Sequence, residues 1–220
     1  MPPTALAWLA AGFFAMKGLP QAFLEHLGER GVARTARVLI VRPSNQTLLL
    51  FENGRRPVAW PVSTAEKGLG EKQHSYQTPR GLHRIRKKIG AGLPKGAIFD
   101  SREFQGEIWR PPPPRPPPPF VAVGRAVEAL PPLPDVVTSR ILWLEGLEPG
   151  KNAGADEEGT LVDSYERYIY IHGTNSEKLV GKPVSRGCIR MHNDAVIALF
   201  DRVELGDLVW IEDTKGDGRR

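Results

Sequence analysis

The chain has 220 residues, with 30 Lys and Arg against 25 Asp and Glu, an apolar fraction of 40% and one cysteine. That length and apolar content support one domain with a real core and exclude global disorder. A single cysteine excludes an intrachain disulfide and any zinc site built from cysteine pairs. The net charge of +5 is spread along the chain apart from His83-Arg84-Ile85-Arg86-Lys87-Lys88. That run carries no aromatic interleaving or nucleic-acid motif, so a solvated face, or one meeting an anionic polymer, accounts for it and no nucleic-acid partner is expected.

Residues 1–35 read as an N-terminal apolar and helical segment. Ala5 to Met16 has the length of a signal-peptide core, but no Lys or Arg precedes it and no small-x-small site follows. These 12 residues are too few for a membrane-spanning helix, which takes about 20. An atypical export signal, a docked helix, or residues upstream of a working start near Met16 are the three readings. A short helix is expected over Leu19–Leu27, with Pro20 in its first turn and Gly28 ending it.

Arg37–Val41 and Gln46–Glu52 read as strands, and Asn53-Gly54 is a hairpin turn because both residues tolerate positive φ. Val58–Ser63 is the returning strand, with Pro61 marking an edge or bulge. Thr64–Gln77 is a loop and Thr78-Pro79-Arg80-Gly81 a turn leading to a strand at Leu82–Ile85. Ala97–Phe99 is a short apolar piece. The insertion at 110–119 holds eight prolines in ten residues, which forbids helix or inner strand and leaves a stiff polyproline II segment. A rigid loop insertion accounts for it better than a ligand for an SH3-like partner.

Arg140–Leu144 is a strand and Glu148–Thr160 a polar loop. Tyr168–Ile171 is a strand that delivers His172 at its end. Asn193 is placed to cap a helix at 194–203, whose Val196, Leu199, Phe200 and Val203 share one stripe. Leu208–Ile211 is a closing strand, and 213–220 a polar tail. Many short strands with one or two helices predict a mostly β, sandwich- or barrel-like fold of mixed sheets.

Chemistry concentrates between Tyr168 and Met191. Cys188 follows a glycine, and His172 lies sixteen residues earlier. A thiol becomes a nucleophile when a base removes its proton, and imidazole is suited to that at neutral pH. A buried structural cysteine and a satisfied polar histidine are the alternative. The surrounding residues favour catalysis: His172-Gly173-Thr174-Asn175 followed by Ser185-Arg186-Gly187-Cys188-Ile189-Arg190-Met191 resembles the paired motif of the L,D-transpeptidase (YkuD-type) family. Asn53-Gly54, Pro61-Val62-Ser63-Thr64 and Thr78-Pro79-Arg80-Gly81 match its opening hairpin and T-P-x-G turn. The likeness runs over 36–212, leaving out the proline insertion.

The resemblance implies a role for each residue. Cys188 would be the nucleophile, His172 the base, and the Gly173 carbonyl the group that orients the imidazole. The amides of Gly187 and Cys188 would bind the oxyanion, a donor typically contributing about 3 kcal/mol, while Ser185 would brace the loop. Arg190 would stabilise the site or meet a substrate carboxylate, with a buried structural arginine as the alternative. Arg186 stands where many relatives carry histidine and would lower the Cys188 pKa. It would also join Tyr170 and Asn175 in binding substrate. His83 and Trp143 could border the cleft, and His192 belongs at the surface.

The implied substrate is the peptidoglycan stem peptide, cleaved before its terminal D-alanine, with acyl transfer to a second stem, a lipoprotein lysine, a free D-amino acid or water. Acylation by carbapenems is implied too, without cofactor or metal. That chemistry calls for the periplasm or cell envelope, whereas the N-terminus leaves a cytoplasmic location open. In papain-type peptidases and cell-wall amidases the cysteine precedes the histidine, the reverse of this chain. A non-catalytic wall-binding scaffold presenting the proline segment has no need of both residues.

Overall fold

The computed structural model describes residues 18–53, 55–112 and 135–213. Ala5–Met16, Gly54, most of the proline insertion and nearly all of the polar tail lie outside the described residues. The rest is a curled, mixed sheet of ten strands with two α-helices. Its strands are β1 (Arg37–Arg42), β2 (Thr47–Glu52), β3 (Val58–Pro61), β4 (Gly81–Ile89), β5 (Ala97–Asp100), β6 (Glu103–Ile108), β7 (Val137–Gly146), β8 (Tyr170–Thr174), β9 (Ile189–Met191) and β10 (Leu208–Ile211). Helix α1 spans Gln21–Arg30 and α2 spans Asn193–Phe200.

The main path runs β3-β2-β1-β10-β4-β7-β5-β6, with β8 and β9 branching from β7. β1 lies parallel to β10, and β8 parallel to β9. The other pairings are antiparallel. Pro61 ends the edge strand β3, where its missing amide costs the ladder nothing.

Alternation along β1 explains why the sheet is buried on both faces. Leu39 and Val41 enter a core shared with Leu142, Leu144, Ile171, Ile189 and α2, whereas Val38 and Ile40 meet Phe23 and Leu27 of α1 on the opposite face. The N-terminal helix is therefore part of the hydrophobic structure. It extends beyond Gly28, and Gly31 closes it in the left-handed conformation at φ 62°. Gly28 stays helical because no steric demand for positive φ arises there; the stop comes one turn later.

Three further expectations change. β6 has no apolar alternation, every residue being exposed, so its sequence gives no strand signal; pairing with β5 makes it. β4 runs to Ile89 through a bulge opposite β7. Asn193 does not cap α2: its side chain accepts from Thr138 Oγ1 at 2.7 Å and donates to Thr174 O at 3.0 Å. The helix instead starts after His192, and the buried amide of Asn193 ties β7 to β8.

Candidate active site

Strand pairing brings His172 and Cys188 together. In the parallel β8–β9 register Ile171 lies beside Ile189 and His172 beside Arg190. Alternate residues of a strand share a face, so Ile171, Ile189 and Met191 enter the core under α2. Tyr170, His172 and Arg190 face the other way, and Cys188, the residue just before β9, packs with Tyr170. His172 and Cys188 line one pocket of about 490 Å³ with Asp135, Tyr170, Arg186 and Arg190.

His172 is the third residue of β8, not the residue after it. Tyr168 takes φ 57°, which interrupts the extended run, and a bulge in β7 between Thr138 and Ile141 lets pairing continue to Thr174. The buried ring bonds through Nδ1 to Gly173 O at 2.7 Å. A carbonyl only accepts, so Nδ1 carries the proton and Nε2 is the basic nitrogen. Burial lowers the His172 pKa, Asp135 and the Gly173 carbonyl oppose that fall, and Arg190 adds to it. Gly173 has no room for a side chain: a Cβ would stand 2.6 Å from Thr138 O and from Asn193 Oδ1.

The Cys188 thiol is half-buried, donating to Tyr168 O at 3.3 Å and accepting from the Tyr170 amide at 3.4 Å. Burial pushes it up to about 11, a rise to which Asp135 adds; the Tyr170 amide and the charges of Arg190 and Arg167 pull against it. Burial thus favours the neutral form of both the thiol and the imidazole.

The loop before Cys188 is braced on both sides. Ser185 Oγ donates to Cys188 O at 2.6 Å and accepts from the Gly187 amide at 3.2 Å. Thr78 Oγ1 donates to Gly187 O at 2.9 Å and accepts from the Ala65 amide at 3.0 Å. Gly187 holds φ 123°, a region open to glycine, and this turns its amide toward Ser185. The Gly187 amide, expected to bind the oxyanion, is thus engaged by Ser185 in this structure.

The two motif arginines sit in different surroundings. Arg190 is buried, 7% exposed, and its Nη2 pairs with Asp135 Oδ2 at 2.9 Å. Arg186 is exposed on the pocket rim, between the main pocket and a second one of about 200 Å³. Solvent screens a charge in that position. Arg167 is a charge that lowers the Cys188 pKa, its guanidinium held by Gln77 O at 2.8 Å and by Ser75 Oγ and Gly70 O at 3.3 Å each.

Other expected contacts lie elsewhere. Asn175 accepts from the Val136 amide at 3.1 Å and is absent from the pocket wall, a turn anchor. His83 is fully buried between Gly81 O and Ser164 Oγ, away from the cleft. Trp143 stacks on Tyr165 at 4.1 Å beside Tyr170 rather than lining the pocket. His192 has a side chain 42% exposed. Asp135 and Arg167 escaped sequence reading: neither sits in a motif, and only the fold carries them to the thiol and imidazole. Among the described residues no cluster of His, Cys, Asp and Glu is arranged to hold a metal.

The family model for the L,D-transpeptidase catalytic domain (YkuD) matches residues 36–211. YqjB of Bacillus subtilis, named for L,D-transpeptidase activity, is 48% identical over 71 residues, 32% of this chain and 40% of that protein. YkuD of the same organism is 56% identical over 61 residues, covering 28% of this chain and 37% of the relative. The matched stretch thus spans less than half of either relative. L,D-transpeptidase 3 of Mycobacterium tuberculosis, solved with a faropenem-derived adduct, aligns with 81% of this chain and 60% of its own at 17% identity and a TM-score of 0.44. With the family model covering most of its length, this chain belongs to the L,D-transpeptidase catalytic-domain family.

Proposed function

We propose that the protein is a peptidoglycan L,D-transpeptidase of the cell envelope in which Cys188 is the nucleophile and His172 the base. The supporting observation is that both line one pocket, with the Nδ1 proton of His172 held on Gly173 O and Nε2 left to accept the thiol proton. Cys188 Sγ attacks the carbonyl carbon of the third stem residue as its proton passes to Nε2. The tetrahedral oxyanion is met by the Cys188 amide, since that of Gly187 is occupied. The carbon–nitrogen bond breaks, the departing D-alanine amine takes the proton from His172, and an acyl-enzyme remains. An amine acceptor then loses a proton to His172 and displaces the thiolate, forming a 3→3 cross-link or attaching a lipoprotein lysine or free D-amino acid; water gives hydrolysis.

The test is incubation with a carbapenem followed by intact mass. One covalent adduct per chain, absent in Cys188→Ala, is the expected result; folded wild-type protein that forms none rejects the assignment. Muropeptide analysis with purified stem peptides then names the acceptor.

A further inference from the structure

Asp135 lies just before β7, outside the His172 and Cys188 motifs, yet its carboxylate is held by two neighbours of His172. Its Oδ1 accepts from Thr174 Oγ1 at 2.7 Å, and its Oδ2 pairs with Arg190 Nη2 at 2.9 Å. Thr174 is two residues beyond His172 on β8, and Arg190 is the cross-strand partner of His172 on β9. The carboxylate therefore spans the flanks of the imidazole and also forms part of the pocket wall.

We propose that Asp135 is a positioning residue that holds a negative charge beside the imidazolium formed when His172 takes the thiol proton. The proposal rests on the reading of Cys188 and His172 as nucleophile and base. The Asp135–Arg190 pair forms a fixed dipole. Moving a proton from sulfur to Nε2 creates a second dipole, thiolate to imidazolium, and the two favour each other when opposite charges face. The electrostatics run that way: at His172 the influence of Asp135 exceeds that of Arg190, while at Cys188 the influence of Arg190 exceeds that of Asp135. Arg167 adds to the thiolate side. Glu66, Tyr170 and Arg186 also line the pocket, but none of their charges enters the shifts of both members.

A structural brace alone would lower the rate without moving its pH dependence. A charge acting on His172 moves the acidic limb, because removing the carboxylate lowers the pKa of the imidazolium. The experiment is the rate of carbapenem acylation of the full chain across pH 4–10, followed by intact mass, for wild type, Asp135→Asn and Asp135→Glu. Asp135→Asn is expected to shift the acidic limb to lower pH by about one unit and to reduce the plateau rate by about tenfold. Asp135→Glu, which keeps the charge, is expected to restore most of the limb position. A folded Asp135→Asn protein whose acidic limb stays at the wild-type pH overturns the role of Asp135 while leaving the nucleophile assignment intact. A wild-type protein that never acylates overturns both. If Asp135→Asn does not fold, Thr174→Val is read the same way: it frees the carboxylate from the His172 side, and an unmoved limb overturns the proposal.

Discussion

Thr78 Oγ1 donates to Gly187 O at 2.9 Å, joining the T-P-x-G turn to the loop that presents Cys188 across 109 residues of chain. The same hydroxyl accepts from the Ala65 amide, and Thr78 is fully buried. Thr78→Val keeps the shape but strands a carbonyl and an amide. It should destabilise the fold by about 1–3 kcal/mol and slow acylation beyond what partial unfolding explains, because the Cys188 loop loses its lateral tie. Chemical denaturation combined with acylation rates separates the two effects; a fully active protein of wild-type stability would contradict this.

Gly173→Ala inserts a methyl 2.6 Å from Thr138 O, a backbone atom that cannot rotate away. β8 must shift relative to β7, and the carbonyl that orients His172 shifts with it. The expected outcome is a loss of about 1–3 kcal/mol, with acylation reduced at least tenfold at every pH. Thermal unfolding and acylation kinetics are the measurements.

His83 gives the fold an acid weakness. Its folded pKa falls from 6.5 to about 4 because it is completely buried, the Gly81 carbonyl only partly offsetting that. As pH falls below 6.5 the unfolded chain takes up a proton that the folded chain refuses, so stability is retained above that pH and lost on the way to pH 4. The loss is roughly 3 kcal/mol. His172, also lowered, acts in the same direction. In His83→Gln the slope of stability against pH between 6.5 and 4 should be shallower; an unchanged slope means that His83 does not set it.

Helix α1 lies before the residues matched by the family model, yet it is built into the sheet. Phe23 and Leu27 are 0% and 5% exposed, and Arg30 and His26 reach the buried Glu148 carboxylate at 3.2 and 3.3 Å. Glu148 also receives the Leu82 amide at 2.6 Å. Removing residues 1–35 uncovers the face of Val38, Ile40 and Leu82 and should cost about 3–6 kcal/mol, the contribution of two large apolar side chains. Differential scanning calorimetry of the truncated and full chains tests this; equal melting temperatures would show that α1 is dispensable.

Most strands can be read from the sequence, because period-two alternation and turn residues are local properties. Arg37–Val41 could be read from its apolar run, and Pro61 announced an edge by lacking a donor. β6 was invisible, since exposed residues of mixed character acquire strand geometry only from a partner. Asn193 has the local context of a cap, whereas its amide is spent on β7 and β8. At the site, His172, Gly173 and Cys188 are close enough in sequence to form one recognisable motif. Which charges act on them is a matter of distance in space. The fold carries Asp135 and Arg167 to the pair, leaves Arg186 in solvent and turns the Gly187 amide toward Ser185. Electrostatic influence falls with separation and solvent exposure, quantities that no local pattern encodes. Both are set by how the strands and loops pack in space.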